Sequence, residues 1–312
     1  GDTVAARGPW AVAFSGGADS LALLLLLCAH WPERRARLVA LHFDHRLRGR
    51  ASTADARFCA DVCAALGVRF AAGSWADARA GASEAVARAA RFAFFQRELG
   101  RRRTRALWFG HQQDDIAETL LMRLARGSGT AGLAAPRPIQ VQPAGRVYAR
   151  PLLTLKKAEI TAALTAAGAV WREDASNGTA DYFRNRIRHE VLATWAAAAT
   201  DRDALAGAAL SRELIEEDDA ALEAWVDALA PLSADGRTLD VRALQGKPRA
   251  VVRRALHRWL VRQGETGDLS RQGFEVLLGA VEQGAFTRFS LGRRGFAVIR
   301  KGVLSFEAAA KS

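Results

Sequence analysis

The sequence has 312 residues, of which 50% are hydrophobic and 25% are charged. This composition is typical of a globular protein of two or three domains and excludes a disordered or collagen-like chain. The longest apolar run, residues 21–29, is shorter than the roughly 18 residues that a membrane-spanning helix needs, so we expect no membrane-embedded segment. The cysteines are Cys28, Cys59 and Cys63, without a C-x-x-C pair. They argue against a disulfide framework or a cysteine-built metal site and favour a reducing, cytoplasmic compartment.

The charge of the chain is strongly positive. The formal net charge is +12, and only five of the 45 basic residues are lysines. Because guanidinium groups pair bidentately with phosphate and stack on bases, this excess favours a nucleic-acid or polyphosphate partner. A genome rich in G and C, which raises arginine and alanine together, is the alternative. Acidic residues concentrate at 213–227, whereas 286–306 carry only basic charges, which predicts an acidic connector before a basic terminal module.

Short apolar strands alternate with helices in the first half of the chain. Strands are predicted at 11–14, 38–43, 68–71 and 106–109, and helices at 19–30, 52–66, 83–99 and 114–126. This order predicts an α/β fold, with a parallel Rossmann-like sheet covered by helices on both faces. In such sheets, ligands collect at the carboxyl ends of the strands.

The pattern loosens after residue 126. A proline-containing stretch at 136–151 is followed by predicted helices at 155–167, 204–229, 241–263 and 271–283, and then by short alternating strands. We therefore predict three parts: an N-terminal domain at 1–195, a helical linker at 196–230 and a smaller, basic C-terminal α+β domain at 231–312.

The sequence Ser-Gly-Gly-Ala-Asp-Ser at residues 15–20 lies between a predicted strand and a predicted helix. Glycines let the backbone approach an anion, and the positive end of a helix favours phosphate. Asp19 would repel a bare phosphate, so we expect Mg²⁺ to bridge the two. An ordinary capped glycine turn is the alternative. The candidate phosphate-binding residues are Ser15, Gly16, Gly17, Ala18, Asp19 and Ser20.

Further motifs follow in the same half of the chain. They are Asp-His-Arg-Leu-Arg at 44–48, Gly-His-Gln-Gln-Asp-Asp-Ile-Ala-Glu-Thr at 110–119, Arg-Gly-Ser-Gly at 126–129, Arg-Pro-Leu-Leu at 150–153, Glu-Asp-Ala-Ser-Asn at 173–177 and Arg-Asn-Arg-Ile-Arg-His at 184–189. In this order, over roughly residues 10–195, the chain resembles bacterial tRNA(Ile)-lysidine synthetases, which belong to the PP-loop ATP pyrophosphatases. The last hundred residues resemble that family only through their placement and basic character.

The resemblance implies an adenine nucleotide alpha hydrolase-like fold and a ligase reaction. ATP and Mg²⁺ would adenylate C2 of the wobble cytidine in the CAU anticodon of an isoleucine tRNA. The side-chain amine of free L-lysine would then displace AMP. The resemblance implies that residues 1–195 form the catalytic domain and that residues 231–312 help to recognise the tRNA.

The resemblance also assigns candidate site residues. Asp115 and Glu118 are three apart on a predicted helix, so both carboxylates project from one face. They could bind lysine, and one could take a proton from its amine. The alternative is that the two acidic residues only stabilise the positive N-terminus of the helix. Arg91 would offset charge at the reaction centre. The implied catalytic residues are therefore Asp19, Arg91, Asp115 and Glu118, and the ATP site would extend to Phe43, Gly110 and His111.

Some roles stay open at this stage. His111 could contact phosphate, orient Asp115 or only complete a hydrogen bond at the strand end. The basic cluster of Arg184, Asn185, Arg186 and Arg188 suits anticodon phosphates and base edges, or it forms a solvated helix face. The aromatic residues of the C-terminal segment, Phe286, Phe289 and Phe296, could stack on RNA or form a small core.

Two other functions compete with lysidine synthesis. A tRNA thiolation enzyme would share the loop and the adenylation step, but such relatives commonly carry cysteines for sulfur handling. Cys59 and Cys63 instead lie four apart on a predicted helix. A non-catalytic ATP-binding, RNA-binding module would bind ATP without forming AMP. A homodimer is an open alternative to a monomer.

Overall fold

The computed structural model describes residues 8–46, 50–75, 83–142, 145–173, 183–264 and 269–309. The chain divides into two compact units, Gly1–Glu216 and Glu217–Ser312. The division falls within one long helix, Ala204–Leu229 (α9), so a separate linker at 196–230 stays a prediction. Within the described ranges, no helix combines the length and apolar character needed to cross a membrane. Motif residues 47–48 and 174–177 lie outside the described residues.

The first unit is built on a six-stranded sheet. Its strands are β1 (Trp10–Ala13), β2 (Leu38–Asp44), β3 (Arg69–Ser74), β4 (Ala106–Trp108), β5 (Ile139–Gln142) and β6 (Arg146–Ala149). Their order is β3-β2-β1-β4-β6-β5, and only β5 runs antiparallel to its neighbour. The predicted parallel sheet is therefore confirmed. Strands β5 and β6 were missed by the sequence prediction, which left 136–151 irregular.

Helices cover both faces of this sheet, as predicted. Helices α1 (Ala18–His30), α2 (Arg50–Leu66) and α6 (Lys157–Ala166) pack on one face, and α3 (Glu84–Arg101) packs on the other. The other helices of this unit are α4 (Gln113–Leu124), α5 (Thr130–Leu133), α7 (Phe183–Arg186), a π-helix at Ile187–Leu192, α8 (Ala193–Ala198) and the start of α9.

Side chains alternate across β1 because successive strand residues point to opposite faces. Val12 packs into the cluster formed with the leucines of α1 and with α2 and α6. Ala11 lies in the cluster on the other face, with Phe94 and Phe95 of α3. The sheet is therefore fixed between two apolar layers, and the carboxyl ends of its central strands lie at one edge of the unit.

The second unit is an α+β structure with its own core. Its strands are β7 (Thr238–Asp240), β8 (Thr287–Ser290), β9 (Gly295–Arg300) and β10 (Val303–Ala308), in the antiparallel order β7-β10-β9-β8, and its helices are α10 (Arg249–Gln263) and α11 (Arg271–Gln283). Fully buried Trp259 and Leu256 of α10 lie in the core. The helix predicted from residue 241 begins later, because β7 and a short 3₁₀ turn precede it and Pro248 occupies the position before its first residue.

Ion pairs neutralise much of the basic helix α10. Arg254 pairs with Asp219 at 2.5 Å, and Arg254 and Arg258 both pair with Glu223. The acidic connector therefore contacts α10 within the second unit. Of the C-terminal aromatics, Phe289 packs against the core, Phe296 lies under the Arg288 guanidinium at 3.4 Å, and Phe286 is 70% exposed.

Candidate active site

The glycine turn after β1 is closed by hydrogen bonds among its own residues. Ser15 N–H donates to Ser20 Oγ at 3.2 Å, and the Ser20 hydroxyl donates to the Gly17 carbonyl at 3.0 Å. Gly16 has a φ of +88°, and a Cβ there would lie 3.0 Å from Cys59 Sγ. Helix α1 then begins with Gly17 at the N-cap and no side-chain cap within the described residues. The turn therefore presents backbone N–H groups to an anion.

The end of β4 lies directly against this turn. A Cβ on Gly110 would lie 2.7 Å from the backbone oxygen of Asp19 and 3.0 Å from the nitrogen of Ser20. Only glycine allows two backbones to approach this closely. The Gly-His motif is therefore held beside the glycine turn, as expected for neighbouring carboxyl ends of a parallel sheet.

Asp19 is held by a lysine that the sequence analysis did not single out. The Nζ atom of Lys157, the first residue of α6, donates to Asp19 Oδ1 at 2.8 Å. Burial raises the pKa of Asp19, Lys157 opposes this shift, and the negative charge of Asp115 adds to it. A cation beside Asp19 therefore relieves an unfavourable charge.

The donor set around Asp19 fits a magnesium ion only in part. The described residues contain no group of three or more His, Cys, Asp or Glu placed to hold a metal. Mg²⁺ in nucleotide sites is commonly bound by one or two carboxylates together with substrate phosphates and water. Asp19 can supply one such carboxylate, and the phosphates would have to supply the rest.

Helix α4 fixes the predicted carboxylate pair. Gln112 and Asp115 form a capping box, in which Asp115 Oδ2 accepts from the Gln112 N–H at 2.9 Å. Glu118, one turn further along, is fully buried, and Asp115 is 8% exposed. Burial of an ionised carboxylate is costly unless it is paired.

Two arginines supply that pairing. Arg184 donates to Asp115 Oδ1 at 2.5 Å and to Glu118 Oε2 at 2.7 Å. Arg188 donates to Glu118 Oε1 at 2.5 Å and to Oε2 at 3.1 Å. The structure thus brings the predicted lysine site and two members of the predicted RNA-binding cluster into one ion network. Asp115 and Arg188 also shift the pKa of Asp19 electrostatically, so this ion network lies close enough to the glycine turn for their charges to interact.

The other members of the basic cluster have different environments. Asn185 is buried and Arg186 is exposed, with its guanidinium 5.8 Å from the Phe183 ring centroid. Arg186 is therefore the most solvent-exposed of the four residues of this cluster. The RNA-binding role of the cluster stays a prediction.

His111 follows the end of β4, and Arg91 of α3 lies close enough to act on it electrostatically. Burial lowers the pKa of His111 well below its usual value, and Arg150, Arg184, Arg88 and Arg91 lower it further. Arg150 also donates to His111 Nδ1 at 3.2 Å. Phe43, at the end of β2, is half-buried with its ring 5.5 Å from that of Phe94, and its role in binding the nucleotide stays a prediction.

The three cysteines are buried thiols. Burial raises the pKa of both Cys59 and Cys63 to about 12. Because the thiolate is the reactive and metal-binding form, neither residue suits sulfur transfer or cluster binding.

Comparison with known proteins matches residues 4–195 to the PP-loop domain family (ATP_bind_3). A tRNA(Ile)-lysidine synthase from Bradyrhizobium sp. is 35% identical over 289 residues, which cover 87% of this chain and 78% of that protein. The chain belongs to the tRNA(Ile)-lysidine synthase family. A tRNA(Ile)-lysidine synthase from Geobacter sulfurreducens is 37% identical over 274 residues, which cover 85% of this chain and 56% of that protein.

The chain spans about half the length, or less, of several of these synthases: 56%, 41% and 38% of the proteins from Geobacter sulfurreducens, Solibacter usitatus and Bacillus licheniformis. Among solved structures, the U34-tRNA thiolase NcsA from Methanococcus maripaludis matches with a TM-score of 0.54 and 18% identity. That match covers 67% of this chain and 72% of the thiolase, and it shows the shared fold.

Two residues of this site were not singled out from the sequence. Lys157 contacts Asp19, and Arg150 contacts His111. Arg150 belongs to the Arg-Pro-Leu-Leu motif, but a sequence motif does not show which residue its arginine contacts. Lys157 follows that motif at the start of a helix, and its proximity to Asp19 depends on the packing of α6 against α1.

Proposed function

We propose that this chain catalyses ATP-dependent adenylation of C2 of the wobble cytidine in a CAU-anticodon isoleucine tRNA, followed by attack of the lysine side-chain amine. Lysidine, AMP and pyrophosphate would be the products. Family membership supports this proposal, and one observation carries it: a buried carboxylate pair that already holds two cations lies beside the glycine turn. A cytoplasmic location, where tRNA, ATP and lysine meet, is part of the proposal.

The glycine turn would hold the phosphates of ATP. The backbone N–H groups of the first turn of α1 and the hydroxyl of Ser15 are the candidate donors. The Ser20 hydroxyl, which donates to the Gly17 carbonyl, would have to turn away from it to join them. Asp19 would hold Mg²⁺, which when bound offsets negative charge on the phosphates. Lys157 compensates Asp19 in the present arrangement.

Asp115 and Glu118 would bind the ammonium group of lysine in place of guanidinium. The amine has an ordinary pKa of about 10.4, so it must lose a proton before it attacks. A carboxylate of this pair is the proposed acceptor of that proton. Arg91 would offset negative charge that develops at the reaction centre.

The tRNA would bind through the cluster at 184–188 and through the C-terminal unit. Arg186 is exposed, and anticodon phosphates would compete with the two carboxylates for Arg184 and Arg188. Because all three are arginines, binding should weaken steeply with salt.

The thiolation alternative is disfavoured by the buried, protonated cysteines. The non-catalytic module remains the competing hypothesis. It shares the ATP-binding turn but gives no reason for a fully buried Glu118 bonded to two arginines.

The proposal is tested by incubating the purified chain with ¹⁴C-lysine, ATP, Mg²⁺ and a CAU-anticodon isoleucine tRNA. We expect labelled tRNA and stoichiometric AMP, both abolished when ATP or the tRNA is omitted. A GAU-anticodon tRNA is the matched control and should stay unlabelled. ATP binding without AMP formation would favour the non-catalytic module, and equal labelling of both tRNAs would contradict the assigned substrate.

A further inference from the structure

Arg150 is a buried cation whose partners are all neutral. It is 6% exposed and lies at the carboxyl end of β6. Its guanidinium donates to His111 Nδ1 at 3.2 Å, to the Arg137 carbonyl at 2.8 Å and to Gln140 Oε1 at 3.1 Å. Among the described residues, no carboxylate forms an ion pair with it. An arrangement of this kind is expensive for a group that only holds the fold together.

The contact with His111 decides where the imidazole proton lies. Arginine has five N–H donors and no acceptor. The Nδ1 atom facing it must therefore offer its lone pair, and in a neutral ring the proton is then on Nε2. Protonation of Nδ1 would set two N–H groups against each other and place two positive charges in contact.

Aromatic packing fixes the orientation of the same ring. His111 lies 5.5 Å from the Phe109 ring with an interplanar angle of 32°, and the Arg150 guanidinium lies 5.5 Å from the same Phe109 centroid. Phe109 is buried. The ring of His111 and the guanidinium of Arg150 thus share one rigid support.

The charged groups around His111 also oppose an imidazolium. Arg88 and Arg91 face it from α3, Arg184 from α7 and Arg150 from the end of β6, and all four lower its pKa after the larger effect of burial. Burial and Arg88 lower the pKa of Arg150 itself, to about 10, so Arg150 keeps its proton at neutral pH. The positive charge therefore stays on Arg150, and His111 stays neutral.

We propose that Arg150 is a positioning residue that holds His111 as a neutral imidazole with its proton on Nε2, ready to donate a hydrogen bond to an anionic oxygen of the nucleotide. The donor role rests on the proposed function, whereas the tautomer does not. His111 then takes no part in proton transfer at neutral pH. The proton of the lysine amine is left to the carboxylates of α4.

The tautomer is tested by NMR on the full chain labelled with ¹⁵N-histidine, with the His111 signals assigned through His111→Gln. In the unsubstituted protein we expect the Nε2–H tautomer and no protonation as the pH is lowered from 8 through the ordinary histidine pKa of about 6.5. A proton on Nδ1, or titration at the ordinary value, would overturn the proposal.

Substitution of Arg150 separates positioning from packing. In Arg150→Gln we expect His111 to titrate at least one pH unit higher and the pH profile of AMP formation to gain an inflection there. Arg150→Lys keeps a cationic donor and should restore the neutral ring. Arg146→Gln, at the start of β6, is the control and should change neither readout. If the titration of His111 is the same in Arg150→Gln as in the unsubstituted protein, Arg150 does not have this role. Should Arg150→Gln not fold, the tautomer in the unsubstituted chain and in Arg150→Lys decides the question.

Titration with ATP and Mg²⁺ tests the donor role. A shift of the His111 Nε2 signal with nucleotide, matched by at least tenfold weaker ATP binding in His111→Ala, supports it. Binding of ATP without a change at Nε2 overturns the donor role and leaves the proposed function intact. Absence of ATP binding overturns both, while the tautomer measured without ligand still reports on Arg150.

Discussion

Replacing Glu118 with glutamine is expected to separate lysine use from ATP binding. Glu118 is fully buried and accepts three hydrogen bonds from Arg184 and Arg188. Glutamine keeps the shape, but it removes the charge and turns an N–H₂ group toward guanidinium donors. A lysine ammonium bound there would lose its negatively charged partner, whereas the glycine turn that would hold ATP lies between β1 and α1 and is unchanged.

The cost to stability follows from the exposure of the partners. Breaking a fully enclosed ion pair costs about 3–5 kcal/mol. The side chains of Arg184 and Arg188 are 25% and 34% exposed, so both can recover hydration. We therefore expect the free energy of unfolding to fall by about 2 kcal/mol, a value between the contribution of one charge-assisted hydrogen bond and the cost of breaking an enclosed ion pair. For a unit of this size, that corresponds to a fall in Tm of about 4–8 °C.

The assay measures Tm, the Kd of ATP and the KM of lysine for Glu118→Gln. Glu98→Gln is the matched control, because Glu98 also accepts from two arginines, Arg101 and Arg102, at 2.8 and 3.0 Å. Arg101 is 65% exposed, so that change should cost less than about 1 kcal/mol and leave lysine use unaltered.

If Glu118→Gln uses lysine as well as the unsubstituted chain does, Glu118 does not bind lysine. If ATP binding falls in parallel with lysine use while Tm falls no further than expected, Glu118 does not act on lysine alone. An unchanged Tm would contradict the ion network itself.

Three other substitutions test separate contacts. Gly110→Ala would force a Cβ to within 2.7 Å of the Asp19 backbone oxygen. We therefore expect the free energy of unfolding to fall by about 1–3 kcal/mol and ATP binding to weaken. Gly207→Ala is the control: its Cβ would meet nothing within 4 Å, and in the middle of α9 it should stabilise the chain by about 0.5–1 kcal/mol. The pKa of Asp19 in the folded chain is raised from 3.8, so ionising Asp19 lowers the free energy of unfolding. This loss of stability is absent below pH 3.8, grows as the pH rises, and is complete above the raised pKa. Asp19→Asn should therefore raise Tm at neutral pH, lose that gain in acid and abolish AMP formation; a lower Tm at pH 7 would show that the contact with Lys157 outweighs burial. Arg184→Ala removes one cation from Asp115 and Glu118, so free lysine should bind more tightly in the absence of tRNA. We expect calorimetry to show about tenfold higher affinity, the equivalent of one charge-assisted hydrogen bond. An unchanged affinity would show that the Arg184 guanidinium does not compete with lysine for the two carboxylates.

Local patterns were sufficient to predict most elements of the fold. The apolar stretches that became β1, β2 and β4 are short, bounded by turns and followed by helical periodicity, so their order implied a parallel sheet. Strands β5 and β6 could not be recognised in this way. Each has only four residues, and two of those in β5 and one in β6 are polar or charged. They became strands because β6 pairs with the edge of β4 and β5 pairs in turn with β6.

The site was predictable in its residue types and not in its contacts. Motifs pointed to Asp19, Asp115 and Glu118, but their partners are distant in sequence. Lys157 is 138 residues from Asp19, and Arg184 is 69 residues from Asp115. Such ion pairs depend on the packing of whole helices, which single-sequence periodicity does not specify. The basic cluster therefore suggested an RNA surface, whereas two of its arginines lie on the carboxylates of α4.

Whether this site joins lysine to an adenylated cytidine can be read from the wobble nucleoside itself. A CAU-anticodon tRNA treated with the chain, ATP, Mg²⁺ and lysine is digested to nucleosides and analysed by mass spectrometry. We expect a cytidine heavier by one lysine less one water, at position 34 alone. Unmodified cytidine at that position, under conditions in which a known lysidine synthase converts it, would show that the chain does not form lysidine.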